Sequence, residues 1–113
     1  MKDPDWEKAD IDPAKIQHYL LSPTHPIGRF KAPFFEALGY TQNEWYKLQD
    51  DLREVIRQGP ALHAGRNDYG EKYTVLARIK TPSGVSRDII TVWIVLSGED
   101  VPRFITAYPR EEK

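Results

Sequence analysis

The sequence has no cysteine. That removes disulfides, thiol catalysis, iron–sulfur clusters and cysteine zinc sites together, and it fits a reducing compartment. No run approaches the roughly 20 apolar residues that a membrane-spanning helix needs. The first dozen residues, Met1 to Asp12, are acidic and polar, without the basic and apolar regions of a secretion signal. A cytoplasmic location and no membrane partner are the expectations. A basic excess is also missing: the formal net charge is −1, whereas general nucleic-acid binders usually draw most of their affinity from surplus Lys and Arg. Residues 60–113 hold 8 basic and 7 acidic side chains against 8 and 10 in residues 1–59, which leaves room for a local basic face.

What is present at 113 residues suffices for one domain with a buried core. Residues 1–10 read as a flexible tail, and residues 11–109 as a single domain. Asp12-Pro13 opens a first helix, with Asp12 as N-cap and Pro13 where its missing N–H costs nothing. Ile16, Tyr19 and Leu20 give it one apolar face, and Pro23 ends it. A second helix is expected over about Arg29 to Leu38, closed by Gly39 in a left-handed cap. Pro33 is tolerated there only in a first turn, so this helix starts near Ala32 or is kinked. Thr41-Gln42-Asn43-Glu44 reads as a capping box for a third helix, whose stripe is Trp45, Leu48, Leu52, Val55 and Ile56.

Beyond Pro60 the period changes to that of strands. Tyr73 to Lys80 alternates, Thr81-Pro82-Ser83-Gly84 turns, and Ile89 to Leu96 is nearly continuous in apolar residues. That run predicts a central strand covered on both faces. Arg103 to Tyr108 gives a last strand, and Ala61 to Gly70 holds a short edge strand or a loop. The fold class is α+β: three N-terminal helices followed by a three- to four-stranded antiparallel β-meander.

Chemistry is harder to place. His18, His25 and His63 have no ligand spacing, and Asp3, Asp5, Asp10 and Asp12 lack the EF-hand pattern, so no metal and no cofactor are expected. Walker, dinucleotide and nucleophile-elbow motifs are absent from the sequence. One constellation remains: His25, Arg29 and Lys31 before the second helix, with His63, Arg66 and Tyr69 in the ambiguous segment. Histidine exchanges protons near neutral pH, and Lys and Arg hold phosphate. These are the residue types that metal-free RNA cleavage uses, although each histidine taken alone also has a structural reading. Trp93 reads as core. Tyr73 and Tyr108 are either packing residues or stacking platforms for bases. Arg78, Lys80, Arg87 and Arg103 are phosphate contacts if they share a face, and solubilising charges otherwise.

The stretches Tyr19-Leu20-Leu21-Ser22-Pro23, His25 to Ala32, Leu38-Gly39-Tyr40, Tyr69 to Tyr73, Thr91 to Ile94 and Phe104 to Pro109 resemble an uncharacterised bacterial family catalogued as a domain of unknown function. More loosely, helices before a compact sheet and the ending Phe104-Ile105-Thr106-Ala107 are similar to small ribonuclease toxins of the barnase, EndoU, colicin and RelE type. That resemblance implies a toxin-like RNA-processing domain, a metal-independent endoribonuclease with an RNA substrate and a cognate antitoxin or immunity protein. His25 or His63 would then be acid or base, Lys31 and Arg29 phosphate holders, and Tyr69 or Thr106 orienting groups, with Arg66 and Tyr108 as further binding residues. The competing reading is a non-catalytic module for protein–protein interaction or small-ligand binding.

Overall fold

The computed structural model describes residues 4–110. Helix α1 starts at Pro13–Lys15 and runs on as a wider π turn over Ile16–Leu20; α2 is Ala32–Ala37 and α3 is Trp45–Gln58. Four strands follow: β1 (Ala61–Arg66), β2 (Gly70–Lys80), β3 (Ser86–Leu96) and β4 (Arg103–Pro109), antiparallel and in the order β1-β2-β3-β4. The α+β meander is thus as expected, with four strands; Ala61 to Arg66 is a strand, and its hairpin to β2 turns through Asn67, whose side-chain oxygen accepts from Tyr69 N–H and Gly70 N–H.

Local chemistry explains the helices. Asp12 caps α1, its Oδ1 accepting from Ala14 N–H at 2.9 Å. Pro33 falls in the first turn of α2, which settles its tolerance, and a separate 3-10 turn at Gly28–Phe30 precedes it. Gly39, at φ 98°, ends α2 as a left-handed cap. Of the expected capping box, Thr41 Oγ1 accepts from Glu44 N–H at 3.2 Å, and regular helix begins at Trp45. Leu48, Leu52 and Val55 are fully buried on the α3 face that packs against β2 and β3.

Two expectations are corrected. β3 is not covered on both faces. Ile89, Thr91, Trp93 and Val95 are buried beneath the helices, while Ile90, Val92, Ile94 and Leu96 are only half-buried. All the helices lie on one side, and the apolar run continues because each outward residue has cross-strand neighbours, as in the row Leu76–Ile90–Tyr108. Nor are residues 4–10 a loose tail. Trp6 sits in a 3-10 turn with its indole edge-on to Trp93 (5.7 Å) and Tyr73 (5.9 Å). Asp5 N–H and Asp10 N–H donate to the carbonyls of Asp100 and Pro102, Phe104 N–H donates to Asp10, and Ala9 is buried. The two edge contacts of the Trp6 ring and these backbone bonds offset the segment's ordering entropy. Residues 1–3 of the expected tail lie outside the described residues.

The core polar atoms are paired. Trp93 Nε1–H donates to Thr91 Oγ1 (2.8 Å), and the Thr91 hydroxyl donates to the Val75 carbonyl (2.9 Å). Among the described residues no buried side-chain nitrogen or oxygen lacks a partner.

Candidate functional site

The expected site residues divide between the two edges of the sheet. Because β1 and β4 are the outer strands, three interstrand spacings, roughly 14 Å, separate the two groups.

At the β4 edge the structure gathers His25, Arg29, Lys31, Thr106 and Tyr108, and it adds Tyr19. The α1 helix aims Tyr19 across the edge, where Tyr19 Oη and Thr106 Oγ1 meet at 3.2 Å. The edge is irregular at this point: the register shifts between Val92 and Trp93, leaving Ile105 as the extra residue before Thr106. His25 sits edge-on to the Tyr19 ring at 5.0 Å. Its Nδ1 accepts from Ile27 N–H (3.0 Å) and Gly28 N–H (2.9 Å), which closes the turn leading to α2. That leaves the proton of the neutral ring on Nε2. Gly28 is required by space, since a Cβ there would lie 1.8 Å from the Tyr19 carbonyl oxygen.

The charges of this edge are unbalanced. From Pro13 to Phe35 the chain carries Lys15, Arg29 and Lys31 and no acidic residue. Among the described residues none of the three meets a carboxylate. Each leans instead on an aromatic ring: Lys15 on Tyr19 (5.6 Å), Arg29 on Phe30 (4.8 Å) and Lys31 on Tyr108 (5.7 Å). A ring quadrupole holds a cation in place without neutralising it, so these three charges stay available to an anion. Local segregation, invisible in a net charge of −1, provides the basic face.

The β1–β2 edge is different. His63 Nε2 lies 2.7 Å from Glu71 Oε2, and Arg66 lies 3.8 Å from the same carboxylate. His63 also meets the Tyr73 ring at 5.4 Å, and Tyr69 stands exposed at the hairpin turn. A cleft of about 270 Å³ beside the hairpin contains Arg66, but also Glu71, Glu99 and Asp100. Three carboxylates against one arginine make it a poor phosphate site. The strand cations form no common surface either. Arg78 is bound to Asp88 at 2.9 Å, and Arg103 to Glu99 at 3.0 Å. Arg87 pairs in register with buried Ile79, on the face opposite to that of Arg78. His18 is exposed on α1. Among the described residues, no three His, Asp or Glu side chains gather as metal ligands.

Sequence reasoning missed Tyr19 because it lies on the apolar stripe of α1 and reads there as core. The signal was its spacing of four from Lys15, which puts the two on one helical face. Tyr40 and Asp51 were missed also. Tyr40 Oη donates to Asp51 Oδ2 at 2.5 Å. Burial, and then this bond, push the tyrosine far above its ordinary range. Burial likewise raises the Asp51 carboxyl, with the Tyr40 bond opposing. The pair ties α3 to the residue after the Gly39 cap, away from the cations.

The chain belongs to the family described as Domain of unknown function (DUF6883), whose pattern matches residues 2–111. No curated protein matches the sequence significantly. A solved structure with the same fold is a contact-dependent growth inhibition toxin–immunity protein complex from Klebsiella pneumoniae 342. One of its chains is similar to this one with a TM-score of 0.70 and 17% identity, over 95% of this chain and 97% of that one. At that identity the likeness is one of fold. Among the described residues no helix is long and apolar enough to cross a membrane.

Proposed function

We propose that this member of the family is a toxin-like domain that binds and cleaves RNA without a metal, using the β4 edge. The observation that carries the reading is the set of three cations, Lys15, Arg29 and Lys31, held on aromatic rings with no carboxylate beside them among the described residues. Unneutralised cations interleaved with aromatics suit a single-stranded backbone with its bases. The fold shared with one chain of a toxin–immunity complex fits either member of such a pair, and the toxin side is the one proposed, with an immunity protein as its partner.

The chemistry would run as follows. The ribose 2′-oxygen attacks phosphorus as its proton passes to solvent, the bond from phosphorus to the 5′-oxygen breaks as that oxygen takes a proton from solvent, and a 2′,3′-cyclic phosphate and a 5′-hydroxyl result. Lys31, Arg29 and Lys15 stabilise the charge that develops on the phosphorane oxygens, a role in which one donor contributes about 10²–10³ in rate. The Tyr19–Thr106 hydroxyl pair orients the 2′-hydroxyl. His25 cannot serve as base through Nδ1, which already accepts two N–H bonds; its Nε2–H can hydrogen-bond to the departing 5′-oxygen and stabilise its charge while keeping the proton. His63, across the sheet and paired with Glu71, has no part in this scheme.

Expression in bacteria of the wild type, Lys31→Ala and His63→Ala, with growth and total RNA followed together, tests the reading. Growth arrest and RNA cleavage that Lys31→Ala abolishes and His63→Ala retains are expected. The reverse pattern would move the site to the hairpin. Intact RNA with all three would reject the nuclease reading.

A second reading has its own observation. The uncovered sheet face presents Leu62, Leu76, Ile90, Val92, Ile94 and Leu96, all at least partly exposed. An apolar face of that kind is a docking surface for a protein partner, and a purely interacting domain would need no more than this.

A further inference from the structure

We infer that the cleft between the Ile27–Phe35 segment and β4 is a nucleobase pocket, which takes one unstacked base of the RNA strand whose phosphate Lys31 holds. The inference rests on the RNA reading above and adds where a base goes. The cleft measures about 380 Å³, and its walls include Ile27, Phe30, Phe34, Ala107 and Tyr108, with Lys31 as the one charged group among the described residues. That size is at the small end for ligand pockets.

Its lining selects the occupant. Phe30 is 72% exposed and Ile27 61%, so two large apolar side chains stand largely in water. The Arg29 guanidinium lies 4.8 Å from the Phe30 ring and leaves the rest of that ring open, as a platform already backed on one side. The ammonium of Lys31 borders the pocket and rests on Tyr108 (5.7 Å). An apolar cleft walled by aromatic rings, which shares its cation with a phosphate site, matches a group that is aromatic and covalently joined to phosphate, which is a nucleotide. An aliphatic chain would fill the walls and leave the three cations without a counterpart. Hydrogen-bonding groups are few here: the Lys31 ammonium and the Tyr108 hydroxyl. Recognition is therefore by stacking, and the pocket demands a base while remaining tolerant of which base it is.

The test uses a short 2′-O-methyl RNA, which cannot be cleaved through the 2′-oxygen, and a matched oligomer whose residues are abasic. Each is titrated by fluorescence anisotropy against the wild type, Phe30→Ala and Lys15→Ala at about 50 mM salt and above. The wild type should bind the base-bearing oligomer at least about fivefold more tightly than the abasic one. Phe30→Ala should lose that preference and keep the salt dependence, while Lys15→Ala should weaken both oligomers alike and flatten it. If the wild type prefers neither oligomer, or if Phe30→Ala keeps the preference, the pocket is refuted and the phosphate site stands. If the wild type binds neither oligomer even at low salt, the RNA reading falls and the pocket with it. Phe30 is exposed, so its variant should melt as the wild type does, and a thermal melt checks this.

Discussion

Replacing Thr91 by valine keeps the shape of a fully buried side chain and removes its hydroxyl, so the effect isolates a hydrogen-bond relay. In the wild type the Trp93 indole N–H ends on that hydroxyl, which itself ends on the Val75 carbonyl. Thr91→Val deletes the bond to the carbonyl, worth about 1 kcal/mol, and strands a buried indole donor at a further cost of about 1–3 kcal/mol. A loss of about 2–4 kcal/mol is a large part of a stability that for such domains is about 5–15 kcal/mol. It should lower a urea midpoint by roughly 1–2 M. The decisive arm is the double-mutant cycle with Trp93→Phe. Without an indole there is no donor to strand, so Thr91→Val should then cost only about 1 kcal/mol, a coupling of about 1–3 kcal/mol. A Thr91→Val midpoint equal to the wild type, or two substitutions that simply add, would refute the relay.

Further outcomes follow from other contacts. Trp6→Ala should cost about 2–3 kcal/mol in a denaturant melt, because it removes two edge-on ring contacts from the core; a neutral result would detach residues 4–10 from the fold. Gly28→Ala sets a Cβ against the Tyr19 carbonyl, so it should destabilise by about 2 kcal/mol or more and abolish RNA cleavage together with the His25 turn. The Tyr40–Asp51 pair shapes the pH profile from both sides. With its folded pKa raised, Tyr40 keeps its proton where the unfolded chain loses it, so stability falls as pH climbs above about 10. Asp51 is raised as well, so its contribution is fullest below the ordinary carboxylate range and declines as pH rises through its folded value. Urea melts of Tyr40→Phe from about pH 3 to about pH 11 should show a shallower alkaline loss, and an acid-side decline shifted to higher pH because the bond that lowers Asp51 is gone; an unchanged profile would refute the assignment.

Much of the architecture was legible because it is written in local chemistry. Asp12-Pro13, Gly39 and the α3 stripe mark helix boundaries that any context would respect, and the alternation from Tyr73 to Lys80 marks a strand. What was not legible depends on distant partners. Trp6 is a lone aromatic among acidic residues, and no periodicity announces that Tyr73 and Trp93 wait for it. The apolar run of β3 looks the same whether its second face is covered by helices or paired only along the sheet. The candidate site shows the same limit. The residue types at His25, Arg29 and Lys31 were informative, and Thr106 and Tyr108 do lie beside them. That His63, Arg66 and Tyr69 belong to the opposite edge is a consequence of strand order, which composition does not encode. Likewise the basic face emerges only once Glu71, Asp88 and Glu99 neutralise their own neighbours, which leaves α1 and the turn before α2 without a paired carboxylate among the described residues.

The two broken registers carry a consequence for solubility. A four-stranded sheet with an apolar uncovered face is the kind of object that stacks into fibrils when its outer strands are straight. Here each outer strand is bent once, β1 between His63 and Gly65 and β4 opposite Val92 and Trp93. Pro109 adds a position without a donor at the end of β4, and the Asp10–Arg103 bridge covers its beginning. A fifth strand from another copy would find only a few residues in phase on either side before the pairing failed. The bent outer strands therefore offer little straight edge to an incoming strand, even though one face of the sheet is apolar.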